Sequence, residues 1–396
     1  MNYRSLLFIL VFASMIIVTA RGQGAGRRFP SEIMVIHDSL SGLPIKVLTT
    51  DSANDSKIYQ THPQWTSDGN YIVFRSDRAG TGRRQVFAVD VNGGDIIQLT
   101  DGPTQRTGSL NLSRKKMELY YTKGMRGDPV RLYVLDIGRL LKESREGNST
   151  RQEDYERLIA TLPGELRESG GFCLDSDEKR AYMGVSRGRE LGGIRWIDLE
   201  SGETGTVIDV EFRMGHVQAN PFLPGEIVYC HETGGDAPQR IWTVNADGSG
   251  NRPLYVESEE EWVTHEVVAT EDMVYFNVMA HLPRLRKKPS GIFAINLRND
   301  EVRILGQVND GRGFWHCNGT ADGKWAIGDT FKGSLYLINL ETAEISLLTA
   351  GHRMRPDHAH PTFSPDGKQI LFQSGMLSNG ESLDLMLIQM TDTTEE

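Results

Sequence analysis

A short pattern recurs along almost the whole chain: a turn ending in Asp-Gly, an apolar strand, a polar turn and further apolar strands. The clearest copies are HPQWTSDGNYIVFRSDR from His62, WHCNGTADGKWAIGDTF from Trp315 and HPTFSPDGKQILFQS from His360. Weaker copies start near Thr107, Gly171, His216 and His265, which makes seven copies at intervals of 44 to 64 residues. The longest interval holds a charged insert around Gly138 to Arg157. The later part of each copy, as in QVFAVDVNGGDIIQLT or SLYLINLETAEISLLT, reads as two period-2 strands joined by an Asn, Asp or Gly turn. Units of four short antiparallel strands every ~40–50 residues are the signature of β-propeller blades, whose arrangement in a ring protects the strand edges. A β-solenoid would have much shorter repeats and no Asp-Gly hairpins. The expected fold is therefore all-β, a seven-bladed β-propeller over residues 31–390, after a linker at 21–30 and before a short tail at 391–396. Ile33 to Thr50 carries an outer-strand pattern with no inner strand before it, and the last copy has a short end. The N-terminal segment is accordingly expected to complete the last blade and close the ring.

The repeat resolves what length alone leaves open, since 396 residues would otherwise suggest two or three domains. A formal net charge of -10 argues against a nucleic-acid partner, which needs a basic face to displace counterions. An anionic ligand would need a local device, either a small Arg/Lys cluster or a metal. Arg4, the apolar run Leu6 to Val18 and the small-residue step Val18-Thr19-Ala20 follow the secretory pattern, so residues 1–20 are expected to be a signal peptide and the mature chain periplasmic or secreted. No later stretch is apolar enough for a membrane helix. Cys173, Cys230 and Cys317 are too few and too far apart for a disulfide scaffold and read as buried free thiols.

Five of the ten histidines, His62, His216, His265, His316 and His360, fall at one repeat position, six residues before the Asp-Gly turn where that turn is clear. The first strand of each propeller blade lines the central channel, so these imidazoles are expected to converge at one mouth. Singly, such a histidine more often ties one blade to the next. His358 changes the balance, because His358-Ala359-His360 places two imidazoles on one side of an extended strand. With His316 from the preceding blade they offer three neutral nitrogen ligands and leave positions open for water or substrate. His265 would be free for proton work, since an imidazole with a pKa near ~6.5 can act as a base at neutral pH. Arg240 offers a bidentate fork for a carboxylate or a surface ion pair.

These segments resemble the oligogalacturonate lyases of pectin breakdown, densest in GHVQANPFLPGEIVYCHE (215–232), PQRIWTVNADGSGNRPLY (238–255), the Thr264-His265-Glu266 step, WHCNGTADGKWAIGD (315–329) and HAHPTFSPDGKQILFQS (358–374). The resemblance implies a seven-bladed propeller with a divalent metal, Mn2+ in that family, held by histidines and a glutamine at the channel mouth. It places His316, His358 and His360 as metal ligands, His265 as the base and Arg240 facing the substrate. His231, His216, Arg355 and His62 are then expected to line the substrate or support the site. The chain departs from the family pattern in three places. Arg355 stands where the family has its glutamine ligand, which leaves three histidines with solvent, recruitment of Asp357 or His352, or loss of the metal. Thr233-Gly234-Gly235 replaces a Gly-Pro-Trp step, and Val267-Val268 replaces an aromatic pair. The implied reaction is metal-assisted β-elimination on an acidic oligosaccharide, oligogalacturonate or another uronate, giving a 4,5-unsaturated product. The alternative is a non-catalytic TolB-like propeller that binds a protein partner. The sequence leaves the oligomeric state open.

Overall fold

The Asp-Gly turns are set by local chemistry. Thr66 donates its hydroxyl to Asp68, Thr320 to Asp322 and Ser364 to Asp366, each at 2.6 Å. The same carboxylates accept the backbone N–H of Asn70, Lys324 and Lys368, each at 3.1 Å. Gly69, Gly323 and Gly367 follow with φ of 73°, 70° and 71°, a left-handed conformation that costs a β-carbon-bearing residue energy. Each turn therefore delivers its two flanking strands antiparallel and in fixed register.

The computed structural model of the chain describes residues 24–390 apart from 104, 126, 310 and 311, and the predicted signal peptide and C-terminal tail lie outside them. Its strands form seven antiparallel sheets arranged as a β-propeller. Blades 2 to 6 are four-stranded sheets in simple chain order, with inner strands Gln105–Leu112, Arg167–Leu174, Met214–Ala219, Val263–Val268 and Phe314–Gly319. Blade 1 has a broken inner strand, Ser56–Lys57, and gains the edge strand Arg28–Phe29. The seventh sheet joins Thr362–Phe363, Gln369–Ser374 and Asp384–Gln389 to Pro44–Val47 and Met34–His37, with Lys46 opposite Leu387 and Val47 opposite Met386.

Each sheet is buried on both faces, which explains why the second strands read as continuous apolar runs. In Tyr71–Ser76, Tyr71 and Val73 enter the core against blade 2, while Ile72 and Phe74 enter the core against blade 7. One such core fills every interface around the ring. Each fully buried Val, Leu, Ile or Phe side chain stabilises the fold by about 1.5–3 kcal/mol. The charged insert of blade 2 contains the helix Ile137–Glu146, capped by Asp136 at its start and by left-handed Gly147 at its end. Its buried face, Ile137, Leu140 and Leu141, packs into the core between blades 1 and 2. All three cysteines are free and buried. Among the described residues no helix is long and apolar enough to cross a membrane.

Candidate active site

The histidine register acquires its function through backbone bulges. In blades 2 to 6 the pairing of the first two strands slips at the repeat position, for example between Gly215 and Gln218 and between Thr264 and Val267. There the chain turns left-handed: Gly170 and Gly171 in blade 3 have φ of 81° and 77°, His216 in blade 4 45°, and His265 in blade 5 55°. In blade 7 His360 has φ 48°. Bulges re-aim side chains, and non-glycine residues hold this conformation only when their surroundings enforce it.

Blade 1 supplies the centre of the cluster. Its inner strand breaks after Lys57, and the following segment brings Tyr59 among the imidazoles, with ring centroids 5.2 Å from His216, 5.3 Å from His360 and 6.2 Å from His316. The Tyr59 hydroxyl lies 2.9 Å from Nδ1 of His265. Sequence reasoning missed this tyrosine, because it stands three residues before the repeat position.

The predicted ligand trio is brought together. His316 lies 3.8 Å from His360 and 5.4 Å from His358 between ring centroids, and His358 lies 6.3 Å from His360. Trp315 stacks on His358 at 4.9 Å. Asp329, also missed from sequence, fixes two of these residues: it accepts from the His316 N–H at 2.7 Å and the His360 N–H at 3.1 Å, and lies 3.1 Å from Nδ1 of His316. That engagement leaves Nε2 of His316 with its lone pair, the usual role of a carboxylate behind a ligating imidazole. Burial, then the neighbouring His360 and His358, hold the His316 pKa well below the usual imidazole value, and burial lowers that of His358.

Two observations test whether this donor set suits a cation. Nδ1 of His358 is buried without a hydrogen-bond partner. Nδ1 of His360 donates to Gln60 at 2.8 Å, so its Nε2 faces the Asp357 carboxylate at 3.2 Å as a second lone-pair atom. Two acceptors facing each other need a proton or a cation between them. His316, Asp329 and His358 also place potential ligand atoms within 4.8 Å of one another. The residues present therefore fit a divalent metal.

The departure at Arg355 is answered nearby. Arg355 is exposed, and its neighbour Asp357 is the carboxylate that reaches His360. Gln373 steadies Asp357, donating to it at 3.0 Å. His352 lies away from the trio, buried between Thr349 and Ser374 at 2.6 and 2.9 Å.

His265 has its ring centroid 4.2 Å from His316 and 5.2 Å from Trp315. Burial, then His316 and His216, push its pKa well below the usual value, so the ring is neutral at pH 7. Beside it, His216 Nδ1 lies 3.1 Å from the buried Glu266 carboxylate, although neither atom is aligned for a hydrogen bond. Burial alone would raise the Glu266 pKa, but His216 and Arg240 overcome it and hold the carboxyl at about 2. Arg240 is buried, with its guanidinium 3.5 Å from Glu266 and 3.4 Å from Glu232. It is thus no surface ion pair, and its fork already faces two of the protein's own carboxylates. His62 links blades 1 and 3 through the Phe172 carbonyl at 2.9 Å. His231 sits apart, against Phe212 at 4.6 Å.

A cavity of about 410 Å³ opens beside the cluster, lined by His62, Tyr59, His216, His360 and Asp357, and by Lys57 and Arg75 on the blade 1 side. Its size is that of a small-ligand site, typically about 300–1,000 Å³. One sequence signal could have exposed more of this site. The fifth residue of the second strand is polar in five blades: Arg75, Thr122, Asn277, Asp329 and Gln373. It breaks an apolar run at a fixed place next to the bulge.

No protein-family model matches the chain. Two curated proteins align with 88% of it and with 94% of their own lengths: an oligogalacturonide lyase of Pectobacterium atrosepticum at 22% identity and an oligogalacturonate lyase of Dickeya dadantii at 23%. Its relatives over this length are oligogalacturonate lyases. Among solved structures, oligogalacturonate lyase in complex with manganese superposes with a TM-score of 0.78 at 21% identity, covering 94% of this chain and 100% of that one. The oligogalacturonate lyase of Vibrio parahaemolyticus gives the same TM-score and coverage at 19% identity. The resemblance to oligogalacturonate lyases seen in the sequence is borne out along the chain, and the shared fold is the seven-bladed propeller.

Proposed function

We propose that this chain is a lyase that cleaves uronate oligosaccharides derived from pectin, oligogalacturonate first among them, by β-elimination. The observation that carries the reading is a neutral His265 whose ring lies 4.2 Å from that of His316, with His358, His360 and Asp357 completing a donor set beside a cavity that His360 and Asp357 line. A divalent metal, Mn2+ by analogy with the relatives, would be held by His316, His358 and His360 with Asp357, and when bound it would draw charge from a uronate carboxylate.

The remaining work falls to the protein's own groups. The C5 proton lies alpha to that carboxylate, and His265 takes it. In the tautomer whose Nδ1–H is donated to the Tyr59 oxygen, Nε2 of His265 keeps its lone pair and accepts the proton. The electrons of the C5–H bond form the C4=C5 double bond, the C4–O4 bond breaks, and O4 leaves as a hydroxyl after taking a proton from solvent. Tyr59 then stabilises the imidazolium by accepting its Nδ1–H. Asp329 keeps His316 oriented, and Glu266 keeps His216 and Arg240 in place beside the base.

The test is incubation of the purified protein with oligogalacturonate and Mn2+, read as ultraviolet absorbance of the unsaturated product. His265→Ala should reduce the rate by about 10²–10⁴-fold while leaving metal content intact. A protein that binds no metal and eliminates no uronate would instead fit a TolB-like propeller that holds a protein partner. We also infer export to the periplasm or the exterior, on the signal-like pattern of residues 1–20, where pectin fragments would be met.

A further inference from the structure

The lining of the cavity includes a guanidinium whose donors are mostly unspent. Arg75 is the fifth residue of the second strand of blade 1 and donates one hydrogen bond, from its Nη2 to the Lys57 carbonyl at 2.5 Å. Its Nε is buried and has no partner. An arginine fork offers five N–H donors in a fixed plane, and a buried one left unmet is costly. Lys57 stands beside it, 1% exposed, with its ammonium bound only to the Ile58 carbonyl at 3.1 Å and the Thr362 hydroxyl at 2.9 Å. Among the described residues, no carboxylate lies within 4.0 Å of either side chain. Asp357, the acidic residue of the cavity lining, is committed to His360 and Gln373. Of the cations nearby, Arg106 is paired with Glu168 at 3.5 Å and Arg84 donates to the Ser56 hydroxyl at 3.1 Å, and neither lines the cavity.

We infer that Arg75 is a carboxylate-binding subsite, which receives the acid group of the sugar linked through O4 to the unit that loses its proton. The inference rests on the lyase reading and names the feature of the substrate that the site selects. Arg75, His360 and Asp357 line the same cavity, so one oligomer held there can present one acid group beside the histidines and a neighbouring one to Arg75. A planar carboxylate matches the terminal N–H groups of the guanidinium, of which one is bonded, to the Lys57 carbonyl. The charge of the subsite is that of Arg75 rather than of Lys57. Burial, then Arg75, pushes its pKa well below that of an exposed lysine, whereas Arg75, lowered to about 10 chiefly by burial, keeps its charge at neutral pH. Arg75 also supplies the local cation that a chain of net charge -10 needs for an acidic ligand.

The experiment compares two dimers on the Mn2+-loaded full-length protein: digalacturonate, and the same dimer with the O4-linked unit methyl-esterified. Arg75→Gln should lower kcat/KM on the free acid by about 10- to 100-fold and on the ester by no more than about threefold, because only the acid has the charge that the fork would bind. Arg75→Lys should recover part of the loss, and melting temperatures report whether each variant is folded. Equal losses on both dimers, or no loss on the free acid, would overturn the subsite while leaving the lyase reading in place. A wild-type protein that cleaves neither dimer would remove both.

Discussion

Replacing Tyr59 with phenylalanine removes one oxygen from the middle of the histidine cluster and leaves the ring that packs against His216, His316 and His360. That oxygen lies 2.9 Å from Nδ1 of His265. In the resting state the lost bond is between neutral groups, with a net worth of about 0.5–1.5 kcal/mol. Spread over a chain of this size, at about 2 cal/mol/K per residue of unfolding entropy, that lowers the melting temperature by no more than about 2 °C. During proton abstraction His265 becomes cationic, and a hydrogen bond to a charged group is worth about 1.5–3 kcal/mol. The expected loss is therefore about 10- to 150-fold in kcat, with KM nearly unchanged, because the hydroxyl acts on the transition state more than on the bound substrate. Steady-state rates of unsaturated-product formation, measured beside thermal melts, give both quantities. A variant that melts normally and keeps wild-type kcat would refute the assignment of Tyr59 as the positioning partner of the base. A loss seen only in KM would place the hydroxyl on the substrate instead.

Three further outcomes are expected. Asp384 is buried where blades 7 and 1 meet, and burial, with Asp55 and Glu32 nearby, raises its pKa from 3.8 to about 7. The fold then binds a proton that the unfolded chain releases near pH 4, so this stabilisation is complete below that pH and is lost as pH rises through 7. The ionised carboxyl costs up to about 4 kcal/mol, and Asp384→Asn should flatten the fall in melting temperature between pH 5 and 8; parallel curves for variant and wild type would contradict this. Mn2+ at about 100 times its Kd should stabilise the wild type by about 2.7 kcal/mol, seen as a thermal shift reversed by chelator, and His358→Ala should lose that shift. Asp357→Asn should weaken the same metal-dependent shift, whereas Arg355→Ala, at an exposed position, should change stability by less than about 0.5 kcal/mol and leave the shift intact.

The number of blades, the hairpins that define them and the common position of the histidines are legible in the sequence, because each is a local or periodic property. Thr66, Asp68 and Gly69 form their turn from contacts within a few residues, and the same chemistry recurs at Thr320 and Ser364. The His-x-His step at 358–360 and the register of His316 point to one another for the same reason. Closing the ring decides the rest, since it brings together residues that no short-range rule connects. Tyr59 meets His265 from 206 positions away, and Gln60 meets His360 from 300. Asp357 rather than Arg355 reaches the histidines because the bend leading into blade 7 turns one side chain inward and leaves the other in solvent. Arg240 is buried between Glu232 and Glu266, and Arg75 has unspent donors at the cavity wall, because neighbouring blades fix what each can touch. A repeat records where a side chain enters the channel; its partner there depends on how seven sheets pack around one axis.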